Sequence, residues 1–356
     1  MEITKETIFS SSLRSLFKTL FGTIGIAIAF IPILLTIIIL SGSAEKESSI
    51  KNTIELLPDA NGNKGVLSSL APVVLKINVN GVIGQKDLTT SVINSQLIES
   101  RQTILKNDRV KALFLYINTP GGTVVDSDGI YRLLKEYKEK YNVPIHAYVD
   151  GMCASGGMYI SSACDYVSAS PSSVIGSIGV RLGPLFNFHE GMQKIGISSY
   201  TFTAGKDKDM MSPFRPWTED DKKSYKKILS YLYDRFIQIV TEGHPNINKE
   251  ELINKHGAQI FDPIEAQKLG FINKAQDNYN NALINLLAAA KIDDKKPYQV
   301  IEIKPKHSWI KDALKSGNVL LNGKIKHILQ VGQTDLSEEK FNLFFYIYDP
   351  KSPFSK

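Results

Sequence analysis

Residues 150–158, Asp-Gly-Met-Cys-Ala-Ser-Gly-Gly-Met, join an apolar, β-favouring run over 145–149 to a segment where Met158, Tyr159, Ile160, Ala163 and Cys164 recur at helical spacing. A chain of this pattern must turn sharply from strand to helix at Ser155. Gly156 and Gly157 let the backbone approach other atoms closely, and the amides that open the helix have no partners inside it. A serine with such an amide behind it has the layout of a nucleophile beside an oxyanion-stabilising donor. The same residues also suit a tight turn without chemistry.

Three further segments bear on that choice. Residues 113–122, Leu-Phe-Leu-Tyr-Ile-Asn-Thr-Pro-Gly-Gly, read as a buried strand running into a second amide-presenting turn. Asp126, Ser127 and Asp128 and the helical pattern Ile130, Leu133, Leu134, Tyr137 come next. Residues 174–180, Val-Ile-Gly-Ser-Ile-Gly-Val, form a third glycine-rich turn, and residues 202–209 place Lys206 and Lys208 on a polar loop. In this order and spacing, across roughly residues 70–275, the segments resemble the signal peptide peptidase A family of bacterial serine-lysine peptidases.

The resemblance implies an α/β fold of the crotonase-like or Clp-protease-like kind. It implies Ser155 as nucleophile and Lys208, in the Gly-x-x-Lys loop, as general base, with Lys206 a solvated neighbour. The amides of Gly122 and Gly156 would form the oxyanion hole, and Ser177 would help hold the lysine. The chemistry is coherent, because a serine hydroxyl needs a base and no histidine lies in a recognisable Ser-His-Asp context. A lysine can accept the proton only when neutral, which requires surroundings that desolvate its ammonium. The loop on its own reads as an ordinary surface segment, with Lys206, Asp207 and Asp209 beside Lys208.

Cys153 lies two residues before Ser155 but lacks the following Gly-Gly pair, so it is expected, like Cys164, to be a small buried residue. A disulfide between the two is not indicated. His256 is expected at the surface. No group of His, Cys, Asp or Glu has metal-ligand spacing, and no cofactor is expected. The net charge of +6 is modest for 356 residues and is not patterned for nucleic acid, though it could weakly favour anionic lipid headgroups.

Residues 20–40 contain no charge and are long enough to cross a bilayer despite Pro32. Lys5, Arg14 and Lys18 precede them, whereas Glu45, Lys46 and Glu47 follow, which predicts an N-terminus in the cytoplasm and a catalytic part outside the cytoplasmic membrane. Gly42-Ser43-Ala44 offers a rival reading as a signal-peptide cleavage site, but the apolar core is longer than such peptides carry.

The expected organisation is a cytoplasmic 1–19, an anchor 20–40, a polar spacer 41–70, a peptidase domain 71–295 and a C-terminal extension 296–356 of unassigned role. The first core strand is expected over 73–79. Thr218 with Asp221 suggests a capping box opening a helix whose apolar residues, Tyr225 to Val240, face core or subunit interface. The resemblance implies that residues 261–272 form the family's closing segment, a short helix leading into a final strand. Within the tail, the apolar run 341–348 would pair as an extra strand.

The resemblance implies endopeptidase cleavage of remnant signal peptides and other unfolded apolar segments through an acyl-enzyme. The resemblance also implies a membrane-tethered homo-oligomer whose active sites draw on neighbouring protomers. Two alternatives stand beside it. A crotonase-type acyl-CoA enzyme would use the same Pro-Gly-Gly loop but leave Ser155 and Lys208 unexplained, and a non-catalytic membrane scaffold would not need either residue.

Overall fold

The computed structural model describes residues 8–42, 52–66, 71–305 and 344–347 and divides into two units, one ending at Ile50 and one beginning at Lys51. The first unit is helix α1 (Ile8–Gly42), which runs unbroken through Pro32. Within it, residues 12–32 are long and apolar enough to cross a membrane, and none of that stretch is buried in protein. The helix therefore starts before the expected span and takes Arg14 and Lys18 into its first turns. Lys5, residues 45–47 and most of the Gly42-Ser43-Ala44 site lie outside the described residues.

The second unit is built on a largely parallel sheet. Its strands are β1 (Asn52–Leu57), β2 (Val73–Asn80), β3 (Val110–Thr119), β5 (Ile145–Ala154), β6 (Tyr166–Ala169), β7 (Val174–Gly176), β9 (Ile260–Phe261) and β10 (Gln299–Pro305). Their order is β1-β10-β2-β3-β5-β7-β9, with β6 also paired to β5. A small second sheet holds β4 (Gly121–Thr123), β11 (Phe344–Ile347) and β8 (Arg181–Leu182). The helices are α2 (Thr90–Glu99), α3 (Val124–Tyr141), α4 (Gly156–Ser161), α5 (His189–Lys194), α6 (Glu219–Gly243), the single turn α7 (Lys249–Glu251), α8 (Pro263–Lys268) and α9 (Tyr279–Ala289).

Strand β3 shows why the sheet is covered on both faces. Ala112 to Ile117 is apolar at every position, as strands buried on two sides are. Leu113 and Leu115 point into the larger core with residues of α3, α4 and α6, while Ala112 and Phe114 meet Leu283, Leu286 and Leu287 of α9 on the other face. Each such side chain contributes roughly 1.5–3 kcal/mol on burial. The result is a three-layer, Clp-protease-like α/β fold.

Several boundaries differ from expectation. Residues 52–57 are not spacer: β1 pairs antiparallel with β10 from Asn52↔Pro305 to Leu57↔Val300, and Ile54 and Leu56 pack on the core. The extension begins inside the sheet, since β10 pairs parallel with β2. The two segments carry short apolar alternations too brief to assign before their partners are known. Among the described residues, the segment directly after α8 forms no strand; Phe271 and Ile272 are buried there, and Lys274 makes an isolated bridge with Ser168. Of the run 341–348, residues 344–347 form β11, and the others lie outside the described residues.

The capping box forms as expected, with Thr218 and Asp221 bonding reciprocally at the start of α6. Apart from Asp221 of the capping box, the helix buries its second half, at Phe236, Ile237, Ile239 and Val240, whereas Ile228 and Tyr231 are exposed. His256 is a correction: it is 8% exposed, with its ring edge-on to Phe261 at 5.6 Å. The turn that carries it folds back on the β9 end of the core, which shields the ring from solvent.

Candidate active site

Strand β5 delivers Ser155 and α4 leaves from it. Ser155 adopts φ 54 and ψ −111, a conformation that costs an L-residue of order 1–3 kcal/mol and that persists because the flanking elements are fixed. Ahead of it, Ala154 pairs with Gly176 of β7, and the Ser155 amide donates to the Gly176 carbonyl at 2.8 Å. Behind it, α4 is wedged by Tyr159, whose ring lies 5.2 Å from that of Phe236 and 5.6 Å from that of Tyr131. The Tyr159 hydroxyl donates to Asp128 at 2.8 Å. Ser155 is 1% exposed, and its side chain makes no capping bond to α4.

Gly156 opens α4, so its amide is one of the helix's unpartnered first donors. A side chain is excluded at this position, because a Cβ would lie 2.5 Å from the Ser127 hydroxyl oxygen and 3.3 Å from the Gly121 Cα. Gly121 of the Pro-Gly-Gly loop is thus packed against Gly156. At Gly122 a Cβ would meet the Ile83 carbonyl oxygen at 2.0 Å. That close approach is what lets the flanking residues pair with Ile83, whose amide donates to the Gly121 carbonyl at 2.9 Å and whose carbonyl accepts from Thr123 at 3.0 Å.

Residues outside the expected set hold this loop. The Thr119 hydroxyl donates to the Gly81 carbonyl at 2.6 Å and accepts from the Gly121 amide at 3.1 Å. Asp126 accepts from the Thr123 hydroxyl at 2.8 Å and from the Thr90 hydroxyl and amide, both at 2.9 Å. Asn118 accepts from the Met152 amide at 3.1 Å, tying β3 to the approach to Ser155. The sequence marked Asp126 only as the start of a helix; its links to Thr90 are long-range and leave no local signature.

Ser177 directly follows Gly176 and is 6% exposed, with a left-handed φ of 57 and its amide donating to the Gln259 carbonyl at 2.7 Å. Ser177 thus sits one residue beyond the carbonyl that holds the Ser155 amide, and Gly121 of the Pro-Gly-Gly loop packs against Gly156. Lys208 sits on a separate loop. It lies exposed in the turn that follows Gly205, and among the described residues no hydrogen bond or ion pair links it to Ser155 or Ser177. Lys206 is exposed in the same turn.

The lysine turn is nonetheless anchored. Arg215 donates to the Asp209 carboxylate at 2.7 Å and to the Asp221 carboxylate at 2.6 and 2.7 Å, joining the residue after Lys208 to the start of α6. The guanidinium holds both carboxyls below the usual range. Leu185, Phe186, Phe188, Tyr200 and Phe202, in the segment that precedes the turn, are exposed.

Cys153 and Cys164 are buried free thiols, and burial pushes the Cys153 thiol up to about 12. Among the described residues no group of three or more His, Cys, Asp or Glu could hold a metal ion.

Comparison with known proteins gives two family matches, peptidase family S49 over residues 137–293 and Clp protease over residues 77–175. A protease of Methanocaldococcus jannaschii is 36% identical over 169 residues, covering 48% of this chain and 53% of that protein. A protein of Enterococcus faecium bearing the name signal peptide peptidase SppA is 31% identical over 227 residues, covering 62% of this chain and 64% of that one. The chain thus spans between half and two-thirds of these relatives. A solved structure of a ClpP1 variant from Listeria monocytogenes aligns with a TM-score of 0.39 at 17% identity, covering 58% of this chain and 94% of that one. The S49 match takes in Ser155, Gly156, Ser177 and Lys208, so the stretch that carries the candidate site is similar to peptidase family S49 and to proteins bearing the name SppA.

Proposed function

We propose that this protein is a membrane-anchored serine endopeptidase in which Ser155 attacks the scissile carbonyl and Lys208 takes its proton. The observation that carries the reading is the strained Ser155 between β5 and α4, with the Gly156 amide behind it and the Gly122 loop packed alongside. The amides of Gly122 and Gly156 stabilise the oxyanion, the amine leaves with the proton held by Lys208, and water activated by the same lysine releases the acyl group.

An exposed Lys208 supports a further element: the base that serves a given Ser155 comes from a neighbouring protomer in a closed ring. The exposed apolar residues before the lysine turn and on the first half of α6 would form the contact. Remnant signal peptides and other unfolded apolar segments are the substrate class, consistent with the similarity to family S49 and an apolar helix that could hold the enzyme at the membrane. The catalytic unit lies on the extracytoplasmic side.

The test is labelling of the purified full chain by a serine-directed acylating probe. Wild type takes up label at Ser155 and Ser155→Ala does not; equal labelling of both would overturn the assignment.

A further inference from the structure

Two main-chain bonds close the turn that carries Lys208, from the Met210 amide to the Asp207 carbonyl at 3.1 Å and from the Ser212 amide to the Asp209 carbonyl at 2.9 Å. Surface turns held by so few bonds are mobile unless another element pins them. The pin here is Arg215. Its Nε donates to Asp209 Oδ2 at 2.7 Å, and its Nη2 donates to Oδ1 of the same carboxylate at 3.3 Å and to the Asp209 carbonyl at 3.0 Å. Nη1 and Nη2 donate to Asp221 Oδ2 and Oδ1 at 2.7 and 2.6 Å. One planar fork thus grips both the residue after Lys208 and the first turn of α6, which the point charge of a lysine could not do.

The fork is itself held in place. Pro213 and Pro216 confine the backbone on either side of it. The Trp217 indole donates to the Ser212 carbonyl at 2.8 Å, and the Arg215 carbonyl accepts from the Asn187 side chain at 2.8 Å. The Asp221 side chain is 5% exposed and also accepts from the Thr218 amide and hydroxyl at 2.7 and 3.0 Å, so it is a fixed anchor. Ordinary surface ion pairs join two flexible side chains in water and hold little. The same helix exposes Ile228 and Tyr231, on the half that would meet a neighbouring protomer. A continuous tie therefore runs from that face through Asp221, Arg215 and Asp209 to Lys208.

We propose that Arg215 is the positioning residue for the general base: by clamping Asp209 to Asp221 it fixes the backbone of Lys208 against α6, so that the amine is aimed at Ser155. The inference rests on the peptidase reading, in which Lys208 takes the serine proton. A misplacement of about 1 Å in a reacting group costs about 10²-fold in rate. Loss of the clamp therefore lowers kcat and leaves KM near that of wild type, because it acts on the chemical step.

The experiment is steady-state cleavage of unfolded casein by the full chain carrying Arg215→Ala or Arg215→Lys, with melting temperatures measured alongside. In Arg215→Ala, kcat should fall by about 10²-fold at little change in KM. Arg215→Lys keeps a charge beside Asp221 but cannot engage both carboxylates, so it should melt near wild type and still lose most of kcat. Free guanidinium at low millimolar concentration should restore part of kcat to Arg215→Ala and none to Lys208→Ala, and sodium chloride at the same concentration should restore neither.

Wild-type kcat in Arg215→Lys overturns the proposal, and so does a folded Arg215→Ala that guanidinium does not rescue. If Arg215→Ala fails to fold, the kcat of Arg215→Lys decides alone. A wild-type chain without turnover, or Lys208→Ala with wild-type turnover, would instead overturn the reading on which the proposal rests.

Discussion

The Ser155 amide donates to the Gly176 carbonyl at 2.8 Å, and this one bond sets Ser177 beside the strained serine. Two glycine-rich segments separated by some twenty residues are thereby locked into one site. The relationship explains why the turn after Gly176 matters to a nucleophile on another strand.

Replacing Ser155 by Ala should lower turnover of an unfolded polypeptide by at least about 10³-fold while leaving the melting temperature near that of wild type. Cys153→Ala should keep most activity and lose about 1 kcal/mol of stability, since its thiol is buried and held protonated. Steady-state rates and thermal denaturation of the two variants separate these outcomes; normal turnover by the Ser155 variant would end the hypothesis.

Lys208→Ala should likewise lose several orders of magnitude, with Lys206→Ala close to wild type. If the base crosses between protomers, mixing Ser155→Ala with Lys208→Ala under subunit exchange should recover part of the activity. No recovery in verified hetero-oligomers would put both residues in one protomer.

Two buried histidines predict acid sensitivity of the fold. Burial lowers His146 and His244 to about 4, against an unfolded value of about 6.5. The unfolded chain then binds more protons between those limits, so stability is intact above about pH 6.5 and falls as pH drops toward 4, by up to about 3 kcal/mol for each histidine. Urea midpoints at pH 7 and pH 5 should differ, and His244→Leu should narrow the difference; a midpoint insensitive to pH in wild type would contradict this.

Gly122 and Gly81 should respond differently to alanine. A Cβ at Gly122 would strike the Ile83 carbonyl at 2.0 Å, so the loop must move, with loss of both stability and activity. Gly81 has φ +87 but nothing within 4 Å, so Gly81→Ala should carry only backbone strain, about 1–2 kcal/mol. Thermal scans and probe labelling of both variants would show equal losses if the packing argument were wrong.

The orientation of the chain in the membrane can be read by fusion. A reporter active only in the cytoplasm, joined to the C-terminus of the full chain, should be silent, because Arg14 and Lys18 precede the uncharged segment. A strong signal would reverse the topology.

The Ser155 turn, the Gly122 loop, the Gly176-Ser177 turn and the capping box of α6 were all legible in the sequence. Each is a contiguous pattern of apolar residues, glycines and polar caps whose conformation is set by near neighbours. What only the tertiary structure decided was pairing between distant segments: residues 52–57 with 299–305, Phe344–Ile347 between Gly121–Thr123 and Arg181–Leu182, and Arg215 between Asp209 and Asp221. Short strands carry too little periodicity to announce themselves, and their partners are chosen by main-chain hydrogen bonding, which leaves no residue-specific mark. The exposure of Lys208 belongs to the same class. A lysine two residues from another in a polar loop looks the same whether it meets Ser155 in its own chain or in a neighbour, because the choice lies in how the loop packs.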